Sequence, residues 1–331
     1  MVSHGDDATD LNIILLYDLH PTWEPHEIEE MVTEVNLMQA ALHDVGHTVQ
    51  PLALWDDKIE ILLSPFRNQD FVVFNWSDGI PGVPRSYDMV AGTLESLGFA
   101  YTGSSREALA FNDDKRLVKA LLDRSDIPTP RWHVFEVDNP DGWDCFPAIV
   151  KPALEHCSLG LGPESIVTNS EELQQRITHV QNEFQQPALV EDFIDGREFP
   201  VWLWGDGTVE MLPLLEWDFS PYPDLHQRLL DFDSKFCPNK HEVAFSVAQL
   251  GQAELKQLEE IVVAAYHLLG CRDYGRLDVR LRDGVFYVLD VNANPDIAAN
   301  NSLATACKLA GYSYGQMASR LVNLAWRRSR H

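Results

Sequence analysis

The sequence predicts a mixed fold: an α/β domain on a doubly wound parallel sheet, followed by α+β segments in which antiparallel strands dominate. Three observations predict it. From Asn12 to Tyr101 short apolar runs alternate with helical patterns, as in a parallel sheet covered on both faces. After Gly103 strand patterns outnumber helical ones. Hydrophobic residues make up 45 % of the 331, enough for a sizeable core, yet no run of about 18 apolar residues occurs that would span a bilayer.

The elements follow in order. Asn12–Tyr17 is a continuous apolar run and reads as a buried strand. Ile28, Val32, Val35, Met38 and Leu42 recur every three or four residues, which predicts a helix over Glu27–Leu42. Gly46 ends it. Strands His47–Leu54 and Phe71–Phe74, helix Tyr87–Leu97 and strand Phe99–Tyr101 complete a domain of about a hundred residues. Helix Asp114–Asp123 then runs into the stiff connector Ile127–Pro130. Strands are expected at Trp132–Glu136, Ala148–Lys151, Ser165–Val167, Leu189–Asp192, Phe199–Trp204 and Val209–Leu215. Helices are expected at Glu171–Phe184, Ala253–Leu269, Ser302–Ala310 and Tyr314–Arg327.

Charge narrows the function. Lys plus Arg total 25 against 51 Asp plus Glu, a net charge of −26, which opposes general nucleic-acid binding. The acidic start, Met1–Asp10, lacks the basic and apolar regions of a signal peptide. Five cysteines without a C-x-x-C pair suit reduced thiols in a cytoplasmic protein.

The most informative stretch is Tyr274–Pro295. Two strand patterns flank Arg282-Asp283-Gly284, which suits a three-residue hairpin loop. That loop pairs Leu281 with Val285, Leu277 with Leu289 and Arg276 with Asp290. One face then carries Leu277, Val279, Leu281, Val285, Tyr287, Leu289 and Val291. The other carries Arg276, Asp278, Arg280, Asp290 and Asn292 with Phe286 and Val288. Asp278, Asp290 and Asn292 together offer the hard oxygens that magnesium takes, provided phosphates lie near. The same face also reads as charge pairs on an exposed sheet. Phosphate partners are available in Lys151, at a strand end before the glycine-bearing loop Ala153–Gly162, and in Lys115, at a helix start.

In order, Tyr101-Thr-Gly-Ser104, Asn112-Asp-Asp-Lys115, Ile127–Pro130, Ile149-Val-Lys-Pro152, Leu189–Phe199, Gly275–Asp278 and Leu289–Pro295 resemble the motifs of the ATP-grasp superfamily. The branch they resemble is that of the D-alanine–D-alanine ligases. The resemblance implies an ATP-grasp fold with an N-terminal doubly wound (pre-ATP-grasp) domain over 1–102, a small central α+β lobe over 103–190 and a C-terminal α+β lobe over 191–331.

It implies roles as well. Lys115 and Lys151 neutralise the phosphates of ATP, with Cys157 and Ser158 in the phosphate loop. Glu191, Asp192, Phe193 and Ile194 form the adenine hinge, and Glu198 accepts from the ribose. Lys235 reaches the γ-phosphate. Asp278, Asp290 and Asn292 hold magnesium, or manganese in its place. Arg276 stabilises the oxyanion of the tetrahedral intermediate, a contribution on the order of 3 kcal/mol for such donors, and Ser302 offers a hydroxyl to a substrate carboxylate. The expected reaction is ATP-dependent joining of a carboxylate to an amine through an acyl phosphate, on small amino-acid-type substrates, in a homodimer.

Several positions depart from the family pattern. Asp290 replaces the usual Glu, and His156-Cys157-Ser158 replaces Gly-Ser-Ser, with Cys157 read as a small buried residue. The N-terminal glycine-rich loop and its ammonium-binding glutamate have no match, Glu27 being the nearest by position. Four readings therefore stay open: ligation of other amino acids or of an amino acid to a small metabolite, true D-alanyl-D-alanine synthesis, ATP binding without catalysis, and phosphotransfer that stops at the acyl phosphate.

Overall fold

The computed structural model describes residues 8–136, 142–231, 234 and 243–330. The chain begins with β1 (Asn12–Asp18), α1 (Pro25–Asp44), β2 (Thr48–Leu54), α2 (Ile59–Leu63), β3 (Val72–Trp76), α3 (Tyr87–Ser96) and β4 (Ala100–Tyr101). The four strands form one parallel sheet in the order β2-β1-β3-β4. Ile13 to Leu16 are all buried because both faces are covered. Ile14 and Leu16 pack toward α2 and α3, whereas Ile13 and Leu15 face α1.

Next come α4 (Arg106–Asn112), α5 (Lys115–Arg124), β5 (Trp132–Phe135), β6 (Ala148–Pro152), β7 (Ile166–Val167), α6 (Ser170–Phe184) and β8 (Ala188–Asp192). The second sheet is antiparallel, in the order β5-β8-β6-β7, with α6 against it through Leu173, Ile177 and Val180. The third comprises β9 (Arg197–Asp206), β10 (Thr208–Met211), β11 (Leu215–Trp217), β12 (Phe245–Val247), β13 (Asp273–Arg282) and β14 (Val285–Asn292). Its order is β12-β11-β9-β13-β14, with β10 also on β9. Helix α7 (Gln252–Leu268) precedes β13, and α8 (Ser302–Leu309) and α9 (Tyr314–Arg328) end the chain. Among the described residues no helix is long and apolar enough to cross a membrane.

Helix α9 returns to the first sheet, where Met317, Leu321 and Val322 join the cluster of Ile13 and Leu15. Gly315 permits this return: a Cβ there would sit 2.1 Å from the Ala41 carbonyl oxygen of α1. The two ends of the chain thus share one core.

Three expectations need correction. The single strand expected over Val209–Leu215 is two, β10 and β11, because Pro213 has no N–H to continue the ladder. The short helices α2 and α4 were not foreseen; α4 is secured by its N-cap, Ser105, which accepts from the Ala108 N–H. The third concerns the β13–β14 hairpin. Its turn is the two-residue Asp283-Gly284, both at positive φ (52° and 79°), so Arg282 opposes Val285 and Leu281 opposes Phe286. Phe286 and Val288, not Val285 and Tyr287, therefore enter the core. A bulge at Leu289 then moves the register, pairing Asp278 with Asp290 and Arg276 with Asn292.

Candidate active site

A cleft of about 680 Å³ opens where the three sheets converge. Lys115 and Lys151 meet there for a local reason: the Lys115 N–H donates to the Ala153 carbonyl (3.1 Å), tying the first turn of α5 to the chain leaving β6. Lys151 pairs with Glu191, and Lys119, one turn after Lys115, reaches the other oxygen of the same carboxylate at 2.6 Å. All three groups are deeply buried. Burial alone would raise Glu191, but the two lysines hold its carboxyl below the usual range. Burial pushes Lys119 down to about 8. For Lys151 burial pulls the same way, yet Glu191 and Asp290 outweigh it and keep the ammonium charged.

Lys115 differs. Its side chain is 8 % exposed, its Nζ makes no hydrogen bond among the described residues, and the nearest carboxylate oxygen, Asp290 Oδ2, is 3.6 Å away. A buried ammonium with so little satisfaction is costly unless a ligand completes it. Across from it Asp278 and Asp290 stand opposite each other on β13 and β14. Arg276 grips both oxygens of Asp278 (2.8 and 3.0 Å) over the Trp202 ring, and Asn292 Nδ2 donates to Asp278 Oδ2 at 3.1 Å. Burial would raise Asp290, but Lys115, Lys151 and His156 hold it well below the ordinary carboxylate range.

Beyond the lysines, Ile149, Leu161, Phe193 and Leu229 make an apolar wall. The Asp192 and Phe193 N–H groups are committed to the Arg131 and Pro147 carbonyls, and the Ile194 carbonyl accepts from Arg280. The Ile194 N–H is left without a partner among the described residues, so the hinge edge is narrower than the resemblance implies. Glu198 is buried and accepts from Arg280 Nε at 2.6 Å.

The far end of the cleft is acidic. Asp18, Glu34, Asp78 and Asp296 line it together with Trp23 and Trp76. Asp18 accepts from the Asp78 N–H at 2.8 Å. Asp78 is open to the cleft yet ringed by protein, and this enclosure, then the charges of Asp18 and Asp296, lifts its carboxyl to about 7.

Most site residues inferred from the sequence converge on this cleft: Lys115, Lys151, Cys157, Ser158, Glu191 to Ile194, Glu198, Arg276, Asp278, Asp290, Asn292 and Ser302. Lys235 lies outside the described residues. Cys157 is exposed rather than buried, at φ 53°, with Ser158 following at φ 60°. The Ser158 hydroxyl donates to the Leu230 carbonyl. Ser302 Oγ is held between Trp202 Nε1 and Asn301 Oδ1, and Asn301 is the N-cap. Glu27 caps α1 by accepting from the Glu24 N–H and is not among the cleft residues; Glu34, two turns on, is. Sequence reasoning missed Lys119, whose i+4 spacing from Lys115 was the available signal, and missed the acidic end.

The model of the D-ala D-ala ligase C-terminus matches residues 121–323. A D-alanine–D-alanine ligase of Marinomonas sp. is 32 % identical over 301 residues, spanning 88 % of this chain and 89 % of its own length. The uncharacterized protein y4sG of Sinorhizobium fredii is 33 % identical over 298 residues, spanning 87 % and 86 %. The crystal structure of D-alanine–D-alanine ligase from Bacillus anthracis complexed with ATP has the same fold, with a TM-score of 0.75 at 23 % identity over 97 % of this chain and 99 % of that one.

Proposed function

This chain belongs to the D-alanine–D-alanine ligase family of ATP-grasp enzymes, and on that premise we propose that it is an ADP-forming ligase that activates a carboxylate with ATP and joins it to an amine. The observation that carries this reading is Lys115: a buried ammonium, without a hydrogen bond among the described residues, facing a pair of carboxylates across a cleft. Triphosphate oxygens satisfy the lysine, and a divalent cation satisfies the carboxylates.

Lys115 and Lys151 neutralise the phosphates of ATP. The wall of Ile149 and Phe193 takes the adenine, the Ile194 N–H its edge, and Glu198 the ribose. Cys157 and Ser158 line the turn over the phosphates, and Lys235, outside the described residues, is assigned to the γ-phosphate by the family pattern. The donor set fits magnesium: two carboxylates and an amide oxygen on one sheet face are hard ligands, with phosphates to complete the shell. Asp278, Asp290 and Asn292 would hold it, Asp278 sharing its oxygens with Arg276. When bound, the ion screens the repulsion between the γ-phosphate and the substrate carboxylate.

A carboxylate is a poor acyl acceptor, so its phosphorylation comes first. Arg276, preorganised over Trp202, then stabilises the oxyanion formed when the amine adds to the acyl phosphate. Ser302 orients the substrate carboxylate from the start of α8. Asp18, Glu34, Asp78 and Asp296 favour substrates that bring ammonium groups, which points to amino acids on both sides of the bond. Segment 1–102 supplies Asp18, Glu34 and Asp78 of the acidic end, 103–190 supplies Lys115 and Lys151, and 191–331 supplies the metal face together with Asp296.

The test is phosphate release across a panel of amino-acid pairs, D-alanine with itself included. Release that requires both an acid and an amine supports the proposal. Tight ATP binding with no acid-dependent hydrolysis for any pair refutes it in favour of a non-catalytic ATP binder.

A further inference from the structure

Amide formation carries a proton problem that the cation end does not solve. The amine arrives as an ammonium with no lone pair to attack, and lysine and arginine only donate. Resting on the ligase reading above, we propose that His156, oriented by Asp113, accepts the proton from the amine substrate before it attacks the acyl phosphate.

Among the described residues His156 is the one imidazole lining the cleft. Its Nε2 lies 2.8 Å from Asp113 Oδ1, yet the two are off the line of a hydrogen bond, and both atoms are buried without an aligned partner. Buried polar atoms are seldom left so; here they form a pair that a ligand can draw into alignment. The ring stands edge-on to Tyr87 of α3, with centroids 5.8 Å apart, so it bridges from the loop after β6 to the N-terminal sheet domain. On the phosphate side it lies near enough for a protonated ring to stabilise the Asp290 carboxylate. The Tyr87 it touches feels Asp78 on the acidic side. His156 thus stands between the end suited to the acyl phosphate and the end suited to an ammonium. The titratable groups about it are Asp113 at the end of α4, Tyr87, its neighbour Cys157, and Asp290 from β14.

The step balances. The ammonium gives one proton to the ring nitrogen not turned toward Asp113, and the carboxylate offsets the imidazolium so formed. The freed lone pair forms the C–N bond at the acyl carbon. The C–O bond to phosphate breaks, and phosphate departs with that electron pair and the adduct's second N–H proton.

Hydroxylamine provides the test, because it is uncharged at neutral pH and traps an acyl phosphate without a base. The full-length chain is given ATP, magnesium and the amino-acid pair giving most phosphate release, with hydroxylamine or the amine as nucleophile. His156→Asn is expected to raise the ratio of hydroxamate to amide at least tenfold, and Asp113→Asn several-fold. Residual ligation by His156→Asn should climb with pH as the free-amine fraction grows. An unchanged ratio in a folded variant overturns the proposal. If His156→Asn does not fold, Asp113→Asn carries the test with the same criterion. A wild-type chain that yields neither product overturns the ligase reading itself, an outcome distinct from failure of the proton acceptor alone.

Discussion

Lys115→Met removes a charge while keeping most of the apolar stem, and its effect on folding can be worked from the geometry. The ammonium sits 3.6 Å from Asp290 Oδ2. At an effective dielectric constant of about 20, two unit charges at that distance attract by roughly 5 kcal/mol. Against this stands a desolvation cost of several kcal/mol for each buried ion. The terms nearly cancel, so the variant should unfold in urea within about 1–2 kcal/mol of the parent. Nucleotide binding has no such cancellation, because the ammonium makes no hydrogen bond that a phosphate must displace. Charge-assisted hydrogen bonds contribute about 1.5–3 kcal/mol, which is roughly a ten- to hundredfold weaker Kd for ATP with magnesium. Calorimetry and urea melts on the same samples read both quantities. A variant that loses more than about 3 kcal/mol of stability yet binds ATP unchanged would show that Lys115 serves only as the structural partner of Asp290.

Glu191→Gln should behave in the opposite sense, since it leaves Lys119 and Lys151 buried together without their shared counter-charge. A loss of about 3–5 kcal/mol is expected, and a urea midpoint shift equivalent to under about 1 kcal/mol would sink the ion-triad account. Asp290→Asn should raise the magnesium concentration needed for half-maximal ATP binding at least tenfold; an unmoved titration would dissociate that carboxylate from the metal. Asp78 sets a pH dependence. Enclosure, with Asp18 and Asp296, raises its folded carboxyl to about 7, so the folded state binds the proton more tightly than the unfolded one and stability falls as pH rises from about 4 to 7. Asp78→Asn should therefore gain more in Tm at pH 8 than at pH 5, and equal gains at both would contradict the assignment.

The hairpin shows where pattern reading succeeds and where it stops. Val285 to Leu289 is apolar without a break, so nothing in that run says which alternate residues enter the core. A three-residue loop keeps the two faces unmixed on paper. The chain instead makes a two-residue turn and takes up the difference in a bulge at Leu289. Up to the bulge the expected register is off by one, and Phe286 and Val288 lie on the other face from the one expected. Beyond it the error is two residues, and side chains alternate with period two. Asp290 and Asn292 therefore share a face with Arg276 and Asp278 as expected, although each pairs with a different partner.

The cleft divides along the same line. Residues set by their place in a motif, such as Lys151 at a strand end or Asp278 in the hairpin, are legible because local order positions them. Pairings are not: Glu191 with two lysines and Glu198 with Arg280 depend on elements brought together by folding. The acidic end is the extreme case, because Asp18 comes from the end of β1 and Asp78 and Asp296 from two separate loops. Net charge misleads in the same way. At −26 the chain repels extended polyanions, but exposed charges are screened over about 8 Å at physiological ionic strength. Inside the cleft the local field belongs to a few buried groups, and there a lysine without a hydrogen bond among the described residues outweighs a distant acidic surface. A compact anion that brings its own divalent cation can use that lysine; a long one that must lie along the surface cannot.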